Sequence, residues 1–228
     1  MPEWTKKYKK AVTFSYDDGN EQDIRLVEIF DRYGMKCTFN LNSGLNAENG
    51  SWVYMDKIKV NRLNLLESKE IYAGHEIAVH TSTHPDLTKC LEEDAWKEIS
   101  EDADRLTEIF GKRPVGMAHP YGTYSDMVGK LMERAGLRYG RGVWESLDFS
   151  VPVDLKNFRP TCHHDQEQIF SLIDRFLMEE TQTPRLLYIW GHSYEFEGKE
   201  NWDHIERICE KLAGNKDLFY GTNQEVLL

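Results

Sequence analysis

The sequence predicts an α/β protein built on a parallel sheet, closed as a barrel or open and doubly wound. Three observations carry this. Seven short runs of strand character recur along the chain, at residues 11–16, 36–41, 76–80, 115–119, 139–143, 185–190 and 218–222. Between several of them, apolar residues recur at spacings of three and four, the period of one helix face. Gly34, Gly111, Gly136 and Gly214 each follow such a helical pattern, where helices stop. Repeated β–α units of this kind imply parallel strands with helices packed on the sheet.

Each element follows from local pattern. The run at 11–16 is Ala-Val-Thr-Phe-Ser-Tyr and leads straight into Asp17-Asp18-Gly19. Ile24, Val27, Ile29 and Phe30 mark the first helix, and the strand at 36–41 follows Gly34. The strand at 76–80 ends on His80. Trp96, Ile99, Leu106, Ile109 and Phe110 mark a long amphipathic helix before the strand at 115–119. Val128, Leu131, Met132 and Ala135 give the next helix, over 127–137, followed by the strand at 139–143. Helical patterns at 169–178 and 205–212 flank the apolar strand at 185–190, and 218–222 is the last strand. No linker, low-complexity stretch or repeat interrupts this order, so residues 1–228 are read as one domain.

Composition narrows the function. The 228 residues carry 28 Lys and Arg against 39 Asp and Glu, a formal charge of −11. Such a chain repels nucleic acid and anionic membranes and accommodates a neutral or cationic small substrate. No apolar stretch approaches the roughly 20 residues of a membrane span. The basic N-terminal residues 1–10 lack the apolar core of a secretory signal. Cys37, Cys90, Cys162 and Cys209 show no C-x-x-C spacing and read as reduced thiols, which points to the cytoplasm.

The candidate chemistry lies at strand ends. Asp17, His80, Tyr121 and His192 each sit at or just past the C-terminal end of a predicted strand, the edge where parallel α/β sheets gather ligand sites. His80-Thr81-Ser82-Thr83-His84 places two imidazoles four residues apart, on one face of a helical turn. One of the adjacent carboxylates Asp17 and Asp18 completes a three-ligand site, and the other remains as a general base. Zinc suits two histidines and one aspartate, and other first-row divalent ions fit as well. His192, delivered by an apolar strand, reads as a proton donor in the company of that cluster. The Pro120-Tyr121-Gly122 turn offers backbone N–H groups to an oxyanion. His163 and His164 are read as loop residues. His75-Glu76 with His80 misses H-E-x-x-H by one position, which excludes a metalloprotease of that type.

In combination and order these residues resemble the polysaccharide deacetylase family, the NodB-homology carbohydrate esterases of family 4. The motifs are Phe14-Ser15-Tyr16-Asp17-Asp18-Gly19, His80-Thr81-Ser82-Thr83-His84, Ala118-His119-Pro120-Tyr121-Gly122 and Ile189-Trp190-Gly191-His192. The resemblance spans roughly residues 12–225. It implies a distorted (β/α)7 barrel and metal-dependent removal of acetyl groups from an N-acetylated or O-acetylated carbohydrate. It implies Asp18, His80 and His84 as metal ligands and Asp17 as base. The backbone N–H of Tyr121 serves the oxyanion, and His192 is the acid. Two family features are missing. Ala118 stands where an arginine usually orients the base, and Arg159 is taken as its replacement. The acid that orients the last histidine has three candidates, Asp148, Asp154 and Asp165.

Two other readings remain. A non-catalytic carbohydrate-binding protein of the same fold is supported by the missing arginine and by six tryptophans and eleven tyrosines that could stack on sugars. A non-haem iron enzyme also uses two histidines and one acid. It is disfavoured because those enzymes use a β-sandwich scaffold and carry the acid close to the first histidine.

Overall fold

Strand β1 (Lys10–Asp17) is the centre of the sheet, and every neighbour pairs with it in parallel. The computed structural model describes residues 2–228. In chain order, β1 is followed by α1 (Asp23–Tyr33), β2 (Cys37–Leu41), β3 (Trp52–Tyr54), β4 (Ile58–Val60), α2 (Leu65–Ser68) and β5 (Glu76–Val79). Then come α3 (Glu92–Phe110), β6 (Gly116–Ala118), α4 (Asp126–Ala135), β7 (Tyr139–Arg141), β8 (Cys162–His163) and α5 (Ile169–Met178). The chain closes with β9 (Arg185–Gly191), α6 (Tyr194–Gly198), α7 (Trp202–Leu212), β10 (Leu218–Tyr220) and α8 (Asn223–Leu227).

The sheet order is β7-β6-β5-β2-β1-β9-β8, with β10 added on β1. On one edge of β1 the first half pairs with β10 (Lys10 with Leu218) and the second half with β2 (Phe14 with Cys37). The segment leading into β8 brings the two ends together. Phe158 bridges Arg141 of β7, and Cys162 pairs with Ile189 of β9. The result is the distorted (β/α)7 barrel expected from the sequence.

Side-chain alternation sorts each strand into two faces. Val12, Phe14 and Tyr16 of β1, with Leu187 and Ile189 of β9, join the core beneath the helices. Ala11 of β1, with Leu186, Tyr188 and Trp190 of β9 and Tyr139 of β7, forms a second, inward cluster. Polar residues share that inner face. Asn40 Nδ2 donates to Ser15 Oγ at 2.9 Å, and Tyr139 Oη donates to Glu76 Oε1 at 2.9 Å. Helix α8 plugs one end, where the Asn223 and Gln224 N–H groups donate to Thr38 Oγ1 and Glu76 Oε2 at 2.8 and 2.7 Å. The same alternation that puts Phe14 and Tyr16 under α1 therefore turns Asp17 into the barrel mouth.

All seven predicted strands are present, within one or two residues at most ends. Helices α1, α3 and α4 stop at left-handed Gly34, Gly111 and Gly136 as expected, whereas α7 is capped by Ala213 and Gly214 lies one residue beyond. The antiparallel β3–β4 hairpin, β8 and the short helices α2, α6 and α8 have no periodic signal long enough to be read from sequence. No helix among the described residues is long and apolar enough to cross a membrane.

Candidate active site

Strand β1 delivers two carboxylates to one place because Asp18 leaves the strand in a left-handed conformation, φ 86°. The alternation breaks at Asp18 itself, one residue before the glycine. The strain is held by three ties: Asp18 N–H donates to Asn40 O at 3.0 Å, the Arg62 guanidinium holds its carbonyl, and Arg62 Nη2 lies 3.1 Å from Asp18 Oδ1. Left-handed non-glycine residues are costly and cluster at functional sites. Here Thr81, His84 and Tyr121 share this conformation with Asp18, at φ 66°, 61° and 59°.

His80 and His84 converge, but not on a helical turn as their spacing suggested. Residues 80–84 form no helix. The loop doubles back through left-handed Thr81 and His84 and is tied by His84 N–H to Thr81 Oγ1 at 3.1 Å. The two rings meet edge to face with centroids 4.7 Å apart. His80 is anchored from behind. Its N–H donates to Asp102 Oδ2 at 3.0 Å, and its Nδ1 lies 2.8 Å from Ala118 O. A ring nitrogen facing a carbonyl carries the proton, so Nε2 keeps its lone pair.

Asp18 Oδ1 lies 3.8 Å from His80 Nε2 and 3.9 Å from His84 Nε2, and one ligand atom from each residue lies within 4.8 Å of the others. Burial would raise the Asp18 pKa, but Arg62 and the three nearby histidines hold it at about 2. Burial pushes His80 down to about 4 and His84 in the same direction. The set is one anion and two neutral imidazoles with an Nε2 lone pair fixed on His80. That donor chemistry fits a divalent ion such as zinc.

Asp17 stays outside this triad. Arg141 Nη2 reaches both its oxygens, at 2.5 and 2.6 Å, and Asn40 Nδ2 donates to Oδ1 at 2.8 Å. Burial favours protonation of Asp17, yet the Arg141 charge outweighs it and the pKa is lowered. This corrects one sequence assignment. Arg159 does not reach Asp17; it is exposed and donates to the carbonyls of Trp144 and Glu145, at 3.4 and 2.8 Å. Arg141 projects from β7 into the barrel, fully buried, with its guanidinium 4.6 Å from the Trp190 ring centre. An arginine inside a predicted strand was the available signal, because a charge there needs a buried partner.

His192 follows β9, with Nε2 4.0 Å from Asp18 Oδ2. Its acidic partner is Glu195, three residues on. Glu195 Oε2 lies 3.6 Å from His192 Nδ1 and accepts the His192 N–H at 3.3 Å. Burial alone would lower the His192 pKa, but Glu195, Asp18 and Asp17 push it up to about 9. None of the three sequence candidates fills this position. Asp148 and Asp154 accept nearby N–H groups of Ser150 and Lys156. Asp165 pairs with Lys199 and lies 3.3 Å from His164 Nε2.

The loop expected for both His163 and His164 holds for His164 alone, which lies in the turn after β8. His163 belongs to β8, with Nε2 3.0 Å from Glu195 Oε2. His164 is fully buried, with Nε2 3.2 Å from the same oxygen and Nδ1 3.2 Å from Tyr16 Oη. Three imidazoles thus share Glu195. Tyr121 lies across the site, its ring exposed and its centroid 4.8 Å from that of His84.

The family model described as polysaccharide deacetylase matches residues 5–140, more than half of the chain. A chitin deacetylase of Arthroderma benhamiae is 27% identical over 187 residues, 75% of this chain and 47% of that protein. A probable peptidoglycan-N-acetylglucosamine deacetylase of the same fungus is 33% identical over 134 residues, 58% of this chain and 28% of that protein. The chain spans less than half the length of these relatives. Among solved structures, a family 4 carbohydrate esterase from Streptomyces lividans in complex with acetate superposes with a TM-score of 0.58 at 18% identity, over 94% of this chain and 93% of that one. A family 4 pseudoenzyme from Bacillus anthracis gives 0.58 at 17% identity, over 96% of this chain and 66% of that one. At these identities the likeness shows the fold alone.

Proposed function

Because this chain belongs to the polysaccharide deacetylase family, we propose that it is a hydrolase that removes acetyl groups from an N-acetylated carbohydrate with the help of a divalent metal. The fold also carries a protein described as a pseudoenzyme, so the reading rests on this chain's own residues. One observation carries it: Asp18, His80 and His84 converge while Asp17 stays unshared beside them, clamped by Arg141.

Asp18, His80 and His84 would hold the ion. When bound, a divalent ion in such a set lowers the pKa of a water toward about 7 and polarises a carbonyl oxygen. Asp17, kept anionic by Arg141, takes a proton from the attacking water. The water oxygen bonds to the acetyl carbon, and the Tyr121 backbone N–H donates to the carbonyl oxygen as charge builds there. His192, charged through Glu195, gives its proton to the departing sugar nitrogen as the C–N bond breaks. The products are acetate and a free amine. An O-acetyl substrate would follow the same course with oxygen as the leaving atom.

Arg141 removes the main support for a non-catalytic reading, which was the absence of an arginine on the base. The non-haem iron reading finds no β-sandwich here; the acid comes from β1 of a parallel barrel. The test is acetate release from N-acetylglucosamine oligomers and peptidoglycan fragments, with and without added zinc. Metal-dependent release is expected. Binding without release from any of these glycans, in metal-loaded protein, would overturn the proposal.

A further inference from the structure

A second group of metal-ligating side chains lies beside the first. His163, His164, Asp165 and Glu195 each present one ligand atom, and these atoms all lie within 4.8 Å of one another. His192 stands between the two groups, with Nδ1 3.6 Å from Glu195 Oε2 and Nε2 4.0 Å from Asp18 Oδ2.

His164 is wholly buried, yet its Nε2 has no hydrogen-bond partner. That nitrogen lies 3.2 Å from Glu195 Oε2 and 3.3 Å from Asp165 Oδ2, close to both but in directions that a ring N–H does not meet. On the other side of the ring, Nδ1 lies 3.2 Å from Tyr16 Oη. A proton on Nδ1 is accepted by that hydroxyl, which leaves a lone pair on Nε2 facing the two carboxylates. Stacking on Phe196, with centroids 4.2 Å apart, holds the ring in this direction. Ligands about 2.0–2.1 Å from a tetrahedral ion stand roughly 3.3–3.4 Å apart. The two separations at His164 Nε2 are of that size.

His163 plays another part. Its Nδ1 accepts the Asp165 N–H at 3.1 Å, so its proton sits on Nε2, 3.0 Å from Glu195 Oε2. It steadies the carboxylate and does not ligate. Two carboxylates and a bare lone pair repel one another unless a cation lies among them. Lys199 supplies part of that charge by pairing with Asp165 Oδ2, but His164 Nε2 is left without a donor. Lys199 is half-buried on a flexible stem, so its ammonium can give way to an ion.

We propose that His164 Nε2, Asp165 and Glu195 form a second site for a divalent ion of the zinc class, separate from Asp18, His80 and His84. Glu195 then serves His192 in the singly loaded protein and the second ion in the doubly loaded one. The proposal stands on metal binding alone and does not need the deacetylase reading.

The test titrates zinc into metal-free protein by calorimetry and counts bound zinc after equilibrium dialysis. The wild type should bind two ions per chain. Asp165→Asn should weaken one of them about tenfold or more, as loss of a ligand does, and leave the other unchanged. His84→Ala should show the reverse, keeping the ion that Asp165→Asn weakens. Lys199→Met, which removes the competing ammonium and leaves every ligand in place, should tighten that same ion about tenfold. A bare structural ion pair between Lys199 and Asp165 would give no such gain. A single zinc that is lost in His84→Ala would overturn the proposal. So would a second zinc that neither Asp165→Asn nor Lys199→Met moves, which would place it elsewhere on the chain.

Discussion

Arg141 of β7 and Asp17 of β1 meet across the inside of the barrel, the guanidinium Nη2 lying 2.5 and 2.6 Å from the two carboxylate oxygens. Both side chains are almost wholly buried, at 1% and 4%. A carboxylate in such a place would take up a proton unless a cation opposed it. The pair is therefore what keeps the Asp17 carboxylate ionised inside the barrel.

Removing one partner from a buried pair leaves an uncompensated charge, which costs about 3–5 kcal/mol. Arg141→Met is expected to lose stability on that scale in urea unfolding and to lose acetate release as Asp17 becomes protonated. Arg141→Lys should recover only part of the stability, because the ammonium keeps the charge but lacks the second nitrogen with which Arg141 Nη1 donates to Gly142 O. Full activity in Arg141→Met would show that Asp17 is not the base.

The triad and the base separate by substitution. His84→Ala should lower zinc binding and activity together, measured by calorimetry and acetate release. Asp17→Asn should keep the zinc stoichiometry of the wild type and lose turnover, because its side chain is not needed to hold the ion. Loss of zinc from Asp17→Asn would reverse the two assignments.

Glu195 sets the proton on His192. In metal-free protein the His192 ring should titrate near 9 by NMR, against about 6.5 for a free imidazole. A raised folded pKa favours the folded state below the unfolded value, and the gain is lost as pH rises through about 9. Glu195→Gln should bring the His192 titration down toward or below 6.5 and remove that alkaline loss of stability. An unmoved titration would show that Asp18 and Asp17, not Glu195, hold the charge.

Acid should act in the opposite sense through Asp18. Its folded pKa of about 2 lies below the ordinary carboxylate value, so its contribution is complete above about 4 and is lost as pH falls toward 2. Arg62→Met raises that pKa, and the acid unfolding midpoint of metal-free protein should move to higher pH. An unchanged midpoint would show that Arg62 does not hold the Asp18 charge.

Gly191 gives His164 its room. A Cβ on residue 191 would stand 2.0 Å from His164 Nδ1. Gly191→Ala should cost about 1–3 kcal/mol, the usual range for overpacking. It should also lower activity by displacing the His164–Glu195–His192 network, checked by denaturation and acetate release. A variant as stable and active as the wild type would mean that the His164 ring moves freely.

The sequence by itself determined seven of the strands, the order of the longer helices and the strand ends at which Asp17, His80, Tyr121 and His192 stand. Those follow from patterns a few residues long: alternation, helical spacing, glycine stops and polar residues at strand ends. It did not determine which arginine faces Asp17 or which acid faces His192. Arg141 lies 124 positions from Asp17, and the two meet only because the inner faces of β1 and β7 look across the same closed barrel. Glu195 is close in sequence, yet it meets His163 and His164 as well only because β8 packs beside β9. Such partners are chosen by how strands close around a shared interior, a long-range packing outcome that leaves no local pattern to read.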